Sequence, residues 1–311
     1  MDIGAGSISR GKGALAGQLA GDALGSLVEF LPPSEIRRAY PLGLTKISGG
    51  GEWGTAAGQP TDDSEMALML AESLVDKGTY SAKDALKRYR YWASTGPFDI
   101  GRTTSSALVH GQRIMESQAN GALMRISPLG VFSAFKGFHE VEGWAREDAS
   151  LTHPNPVCLE VNGLYAKAVA FAVRTCAPPG EVFSFISEAS AGCSAEVRGA
   201  VESSSSPPPD FMRNQGWVLT AFRNALYHLR SGSDPFRGVV ETVMSGGDTD
   251  TNGAICGALL GACHGIESFP DQWLDALRKC TPERIRARSR HPRPAVFSPC
   301  GFESLAERLL L

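Results

Sequence analysis

The sequence predicts an all-α protein, and three observations carry that prediction. Apolar residues recur at helical spacing in six segments, strand-like alternation is scarce, and two segments carry glycines four residues apart, which places them on one helix face. The chain has 311 residues, 42 % of them hydrophobic, enough to bury a core. Glycine contributes 35 residues, above the roughly 7 % share of ordinary proteins. It has no three-residue period, so collagen is excluded.

Taken in order, the first element is the stretch holding Gly13, Gly17, Gly21 and Gly25, a helix with a face free of side chains. Residues 42–60 are a glycine-rich loop. Residues 63–75 place Met66, Met69, Leu70 and Leu74 at helical spacing, and 81–92 and 157–174 read the same way. The run SSSSPPP at 203–209 is a polar, proline-broken surface loop within one domain spanning 1–311. Helices follow at 216–230, 252–266 and 270–279. The segment 252–266 carries a second stripe at Gly253, Gly257, Gly261 and Gly265. Glycine in a helix costs up to about 1 kcal/mol per site relative to alanine, so each stripe calls for close approach of a neighbouring backbone. The expectation is that such packing brings segments more than two hundred residues apart to one site.

Bulk properties narrow the function. A net charge of −3 gives no electrostatic footprint for nucleic acid. No apolar run reaches the roughly 18–20 residues that span a bilayer, and residues 1–30 read as lacking a secretory hydrophobic region, since Gly and Ala dominate there and Asp22 interrupts them. The cysteines (158, 176, 193, 256, 263, 280 and 300) are odd in number and form no Cys-x-x-Cys pair, which fits reduced thiols in a cytoplasmic protein without structural zinc. Gly6, Gly11 and Lys12 spell most of a phosphate-binding loop, but Gly13 stands where Ser or Thr should hold magnesium and no strand leads in. Gly11, Gly13 and Gly17 miss the dinucleotide-binding spacing by one residue.

Two acidic motifs hold the chemistry. Thr61-Asp62-Asp63 opens the helix at 63–75, and Asp248-Thr249-Asp250-Thr251 opens the one at 252–266. Either alone is explained as a helix cap, since Asp and Thr suit N-caps and carboxylates suit the positive helix end. A cap needs one side chain, however, and each motif offers two carboxylates plus hydroxyls. Were the motifs to meet, each like-charge pair at 4 Å would cost about 4 kcal/mol at an effective dielectric near 20. Divalent cations would offset that repulsion. An all-oxygen donor set favours Mg²⁺ or Mn²⁺ over zinc or copper, and four carboxylates suit two ions.

At these residues the chain resembles the ADP-ribosylglycohydrolases, in particular their bacterial dinitrogenase-reductase-activating type. The likeness runs over roughly residues 11–300, through GALAGQLAGDALGSLVEF (13–30), GQPTDDSEMAL (58–68), FDIG (98–101), NGALMRISPLG (120–130), THPNP (152–156), GWV (216–218) and SGGDTDTNGAICGALLGA (245–262). The resemblance implies a compact, orthogonal many-helix fold with a central cleft holding two divalent ions, and hydrolysis of the bond between ADP-ribose and an acceptor. It implies metal ligation by Thr61, Asp62 and Asp63 from one side and by Asp248, Asp250 and Thr251 from the other. Glu29 corresponds to a glutamate near the substrate ribose and Asp99 to an aspartate of catalytic proton transfer. Asn120 and Gly121 match a loop whose backbone amides hold the diphosphate, with Ala119 where many members have glycine. His153 matches a histidine of the cleft, and Trp217 an aromatic facing the nucleotide. Without the resemblance, Glu29 reads as a surface residue after a helix, Asp99 as a turn former, His153 as a structural histidine and Trp217 as core. The implied partner is an ADP-ribosylated protein modified on arginine, with ADP-ribose as product; separately, no coiled coil or long amphipathic tail argues for an obligate assembly, so a monomer is expected. Other ADP-ribose linkages (serine, a nucleic-acid base, a small ester) and a non-catalytic ADP-ribose-binding relative are the competing readings.

Overall fold

The structure is a computed structural model describing residues 3–311. About 65 % of it is helical and, among the described residues, there is no sheet: only two isolated bridges, Gly50–Thr55 and Ala119–Trp217, have extended pairing. The helices are α1 (Ala5–Gly25), α2 (Pro33–Ala39), α3 (Asp62–Lys77), α4 (Ala82–Ser94) and α5 (Arg102–Leu108) in the first third. There follow α6 (Ser127–Phe132), α7 (Phe138–Ser150), α8 (Pro156–Thr175), α9 (Pro179–Ala189) and α10 (Ala195–Glu202). The last third contains α11 (Val218–Arg230), α12 (Pro235–Val243), α13 (Thr249–His264), α14 (Asp271–Arg278), α15 (Pro282–Arg288) and α16 (Phe302–Leu310).

Local chemistry sets many of these starts. Proline occupies a first-turn position in α2, α8, α9, α12 and α15, where its missing N–H costs nothing. Asn155 caps α8 by accepting from Val157 N at 3.0 Å, and Asp234 caps α12 by accepting from Arg237 N at 2.9 Å. The short helices α2, α5, α6 and α15 show too few turns for periodicity to reveal them. Residues 203–209 begin with a 3-10 turn, Ser203–Ser205, which buries Ser204; Pro208 is buried as well, and the rest of the run is exposed or half-buried.

The glycine stripes form the axis of the molecule. Helices α1 and α13 run antiparallel with backbone against backbone. A Cβ added at Gly13, Gly17 or Gly21 would overlap the carbonyl oxygen of Gly261, Gly257 or Gly253 respectively, and one at Gly25 would overlap the backbone of Thr249 and Asp250. The overlap is reciprocal, since a Cβ at Gly257 or Gly261 would strike the Gly17 or Gly13 carbonyl. Gly265 lies just past the end of α13, at φ 83°, yet keeps its place on the stripe: it packs against Ser9 and Gly13, one turn along α1. At the other end of the pair the Thr249 hydroxyl donates to Gly25 O at 2.7 Å, across 224 positions of sequence.

Around this axis, α8 is pinned to α13 by Tyr165 Oη donating to Ile255 O at 2.7 Å. Contrary to the sequence expectation, α8 is long and apolar enough by composition to cross a membrane, but 72 % of that stretch is buried among the other helices. Helix α3 is held from the far side by Glu65, whose carboxylate accepts from Trp92 Nε1 and from the Arg293 guanidinium, each at 2.7 Å.

Candidate active site

The site lies where α1, α3 and α13 converge. Its first structural residue is one that sequence reasoning overlooked, Asp22. This fully buried aspartate of α1 accepts from Thr61 N at 3.1 Å and from Ser64 N at 3.1 Å, so it caps α3 from another helix. Thr61 Oγ1 lies 2.9 Å from both Asp22 Oδ1 and Asp63 Oδ2. An acid inside an apolar Gly-Ala helix was the signal available in the sequence, since such a group must find buried donors.

The capping explanation of the acidic motifs does not hold. Neither Thr61 nor Asp248 makes a side-chain cap bond. Helix α13 begins three residues earlier than expected, so Asp250 and Thr251 lie inside its first turn. Asp250 Oδ1 accepts from Thr251 N at 2.9 Å, and Asp248 Oδ2 accepts from Asn120 Nδ2 at 2.7 Å. Gly246 and Gly247, at φ 75° and 77°, turn the chain into α13. Gly247 O accepts from Phe30 N at 2.8 Å, which fastens this turn beside Glu29.

The two motifs therefore meet, and other acids join them. Glu29, Asp99 and Asp250 each bring an oxygen within 4.8 Å of the others. The Trp53 indole donates to Glu29 Oε2 at 2.7 Å. A cleft of about 340 Å³ is lined by Glu29, Asp62, Asp99, Asp248, Thr251, Asn120, Gly121 and His153. Thr61, Asp63 and Asp250 do not line it and are buried. Trp217 is set apart: it is 37 % exposed, donates to Gln118 Oε1 at 2.8 Å, and lines a neighbouring pocket with Arg213 and Arg223. Glu29 and His153 are both buried, so the first is no surface residue. The loop carrying Asn120 is fixed by Asn120 N donating to Gly216 O and Val218 N donating to Gln118 O, each at 2.9 Å. Gly121 has no room for a side chain, because a Cβ would stand 2.9 Å from His153 Cε1 and 3.0 Å from Thr104 Oγ1.

Seven carboxylates (Asp22, Glu29, Asp62, Asp63, Asp99, Asp248 and Asp250) are thus gathered, and Arg102, which also lines the cleft, is exposed and forms no ion pair with them. The buried ion pairs of the described residues, Arg125–Asp148 and Arg293–Glu65, involve none of them. Burial, with Asp99 adding repulsion, pushes the Glu29 carboxyl up to about 8. Burial raises Asp22 to about 6, and burial with Asp248 raises Asp99 to about 6. Asp62, Asp63 and Asp250 are held well above the ordinary range, first by burial and then by their neighbours' charges. Asp63 Oδ1 is enclosed without any hydrogen-bond partner. Repelling carboxylates, an orphaned oxygen and an all-oxygen donor set fit hard divalent cations.

This electrostatic arrangement has a pH signature in the metal-free protein. A carboxyl whose folded pKa is raised binds a proton in the folded state that the unfolded chain has already released, so stability falls as pH rises between the two values. For Asp22 and Asp99 that window runs from the ordinary carboxylate range to about 6, and for Glu29 to about 8. Melting temperature measured with chelator should fall from pH 5 to pH 8 across the windows of these cited shifts, and Mg²⁺ or Mn²⁺ should stabilise most at the alkaline end. A chelated protein whose melting temperature rises over this range would contradict the assignment.

Comparison with known proteins matches a family model described as ADP-ribosylglycohydrolase to residues 4–310. The ADP-ribosyl-dinitrogen reductase glycohydrolase of Rhodospirillum rubrum is 28 % identical over 89 % of this chain and 93 % of its own. The ADP-ribosylarginine hydrolase of Serratia proteamaculans is 26 % identical over 87 % of this chain and 76 % of its own. The ADP-ribosylhydrolase ARH3 of Homo sapiens is 24 % identical over 92 % and 93 %. Among solved structures, an ADP-ribosylglycohydrolase-related protein complex superposes with a TM-score of 0.79 at 29 % identity, covering 98 % of both chains.

Proposed function

Because the chain belongs to the ADP-ribosylglycohydrolase family, we propose that this enzyme removes ADP-ribose from arginine side chains of modified proteins by cleaving the N-glycosidic bond. The observation that supports this linkage is the cleft wall. Glu29, Asp62, Asp99 and Asp248 line the cavity against a single exposed arginine, Arg102, an acidic excess that suits a cationic guanidinium leaving group better than a neutral hydroxyl. Two of the similar proteins are named for ADP-ribosyl-dinitrogen reductase and ADP-ribosylarginine.

Asn120 N is committed to Gly216 O, contrary to the expectation that it holds phosphate, so in this reading the loop receives the diphosphate on the amides after it, beginning with that of Gly121. Asp62, Asp63, Asp248 and Asp250, with the Thr61 and Thr251 hydroxyls, are the ligand set for two divalent cations. Bound there, Mg²⁺ or Mn²⁺ would neutralise the carboxylates and polarise oxygens of the distal ribose and of water. Trp53 occupies one Glu29 oxygen and leaves the other facing the acidic group. Asp99 and Glu29, raised toward neutral pH, are suited to take a proton from the attacking water and to return one to the departing nitrogen.

The test is a linkage panel. The purified enzyme with Mg²⁺ or Mn²⁺ is given arginine-linked, serine-linked and nucleobase-linked ADP-ribose and a small ADP-ribose ester, and released ADP-ribose is measured. Arginine-linked substrate should be cleaved with kcat/KM about ten-fold or more above the rest, a discrimination of roughly 1.4 kcal/mol. Faster release from serine or from the ester would reassign the linkage, and binding of ADP-ribose without release from any substrate would make the protein a binder.

A further inference from the structure

Behind the cleft runs a buried polar chain that the proposed chemistry does not use. Tyr89 Oη donates to Asp148 Oδ1 at 2.9 Å, and Arg125 Nε donates to Asp148 Oδ2 at 3.1 Å. The Arg125 guanidinium stands 4.5 Å over the Tyr89 ring. Three further N–H groups donate to Asp148 O at 3.0 Å, Gly121 O at 3.1 Å and Thr152 Oγ1 at 2.9 Å. Thr152 Oγ1 in turn lies 2.8 Å from His153 Nδ1. Arg125, Asp148 and Thr152 are all completely buried.

Proton counting along this chain has one satisfactory solution. Arginine can only donate, so Thr152 Oγ1 accepts from it. The Thr152 hydroxyl proton then needs an acceptor, and His153 Nδ1 is the one within reach. Were Nδ1 instead to carry a hydrogen, the buried hydroxyl proton would be stranded without a partner, at a cost of about 1–3 kcal/mol. We propose that the Tyr89–Asp148–Arg125–Thr152 chain holds His153 in its Nε2–H form, so that the cleft presents a neutral N–H donor to an oxygen of bound ADP-ribose. Nε2 hydrogen-bonds no protein group among the described residues, and the ring lines the cleft beside Gly121 and Thr104.

The physical value of this device is its lack of charge. A lysine or arginine at this position would pair with the cleft carboxylates and be lost to the substrate. A neutral imidazole N–H cannot form an ion pair, so it stays available for a phosphate or hydroxyl oxygen. Burial and the Arg125 charge both oppose protonation of the ring, pushing it down to about 3. Arg125 also grips Gly121 O, so a single buried cation orients both the proposed phosphate loop and the histidine facing it. Thr152 and Arg125 are positioning residues in this scheme.

The inference rests on the hydrolase reading for its ligand but not for its tautomer, and the experiment separates the two. Long-range proton–nitrogen NMR of the histidine-labelled full chain, which has six histidines, with His153→Gln providing the assignment, should show His153 protonated at Nε2 and bare at Nδ1. Thr152→Val should convert it to the Nδ1–H form or a mixture, and Thr152→Ser should restore the original pattern. With arginine-linked substrate, Thr152→Val should raise KM roughly ten-fold with a smaller change in kcat, and Thr152→Ser should recover it. A wild-type His153 carrying its proton on Nδ1, or a tautomer indifferent to Thr152→Val, overturns the proposal. Expected tautomers in a protein that releases no ADP-ribose would leave the relay standing and refute the hydrolase reading alone.

Discussion

Asp250→Asn should abolish turnover and, at the same time, raise the melting temperature of the metal-free protein. Asp250 is 1 % exposed, and its charge is opposed by Glu29, Asp63, Asp248 and Asp99. Glu29 and Asp99 each bring an oxygen within 4.8 Å of it, and at such a separation a like-charge pair costs about 3–4 kcal/mol at an effective dielectric near 20 when both are ionised. Protonation of the raised carboxyls relieves part of this repulsion, so the gain from removing one charge is largest near pH 8. Asparagine keeps an oxygen for the Thr251 N–H, so the first turn of α13 is preserved. The amide is, however, a far weaker ligand for a hard cation. Turnover with Mg²⁺ or Mn²⁺ should drop by about three orders of magnitude or more, as is common when a metal-site carboxylate that supports the chemical step is lost. Stabilisation by the added metal should shrink in parallel. Wild-type turnover by the variant in the presence of chelator would rule out metal dependence. A lower melting temperature of the chelated variant at pH 8 would show that the carboxylates do not repel as described.

Gly17→Ala should be the most damaging single-methyl change in the molecule. The added Cβ would fall on the Gly257 carbonyl, and neither partner is a side chain that can rotate away. Relief requires α1 and α13 to separate, which loosens the Gly13–Gly261 and Gly21–Gly253 contacts along the same line. Overpacking against a mobile neighbour costs about 1–3 kcal/mol; against two rigid backbones the cost should exceed that and lower the melting temperature by roughly 5 °C or more. The control is Gly143→Ala on α7, where nothing lies within 4 Å of the new methyl and the helix gains up to about 1 kcal/mol of propensity. Thermal scans of the two variants should move in opposite directions. Equal stability of Gly17→Ala and wild type would mean that the glycines are not needed for the approach of the helices.

The same pair of helices shows what a linear sequence can and cannot display. Four-residue spacing identified both stripes, because a period within one helix is a local property. It did not show that Gly265, still packed against α1, has already left the helical conformation for a positive φ. The acidic motifs were legible as pairs of carboxylates, while their convergence entered as a supposition, from which like-charge repulsion led to the expectation of cations. Asp22 stood out as an acid in an apolar helix, but its role was not legible, because its partners Thr61 and Ser64 lie about forty positions away and no spacing rule links them. Asp99 and Glu29 were reached through resemblance rather than pattern; their grouping with Asp250 is a product of tertiary packing. Trp217 sits in a pocket beside the cleft rather than in it, a side-chain direction that the GWV motif does not encode.

The backbone-on-backbone contact of α1 with α13 also constrains the order of events in folding. Glycine-rich α1 has weak intrinsic helicity and almost no amphipathic face, so by itself it has little reason to hold a shape. Its complementary surface is synthesised more than two hundred residues later. During translation, at about 5–20 residues per second, α1 therefore waits on the order of ten seconds or longer for its partner. A nucleus containing both helices has high contact order and must close a very long loop, which predicts slow acquisition of native structure. The acidic cluster can assemble only in that late step, so the nascent chain is spared concentrated negative charge until the scaffold that tolerates it is in place.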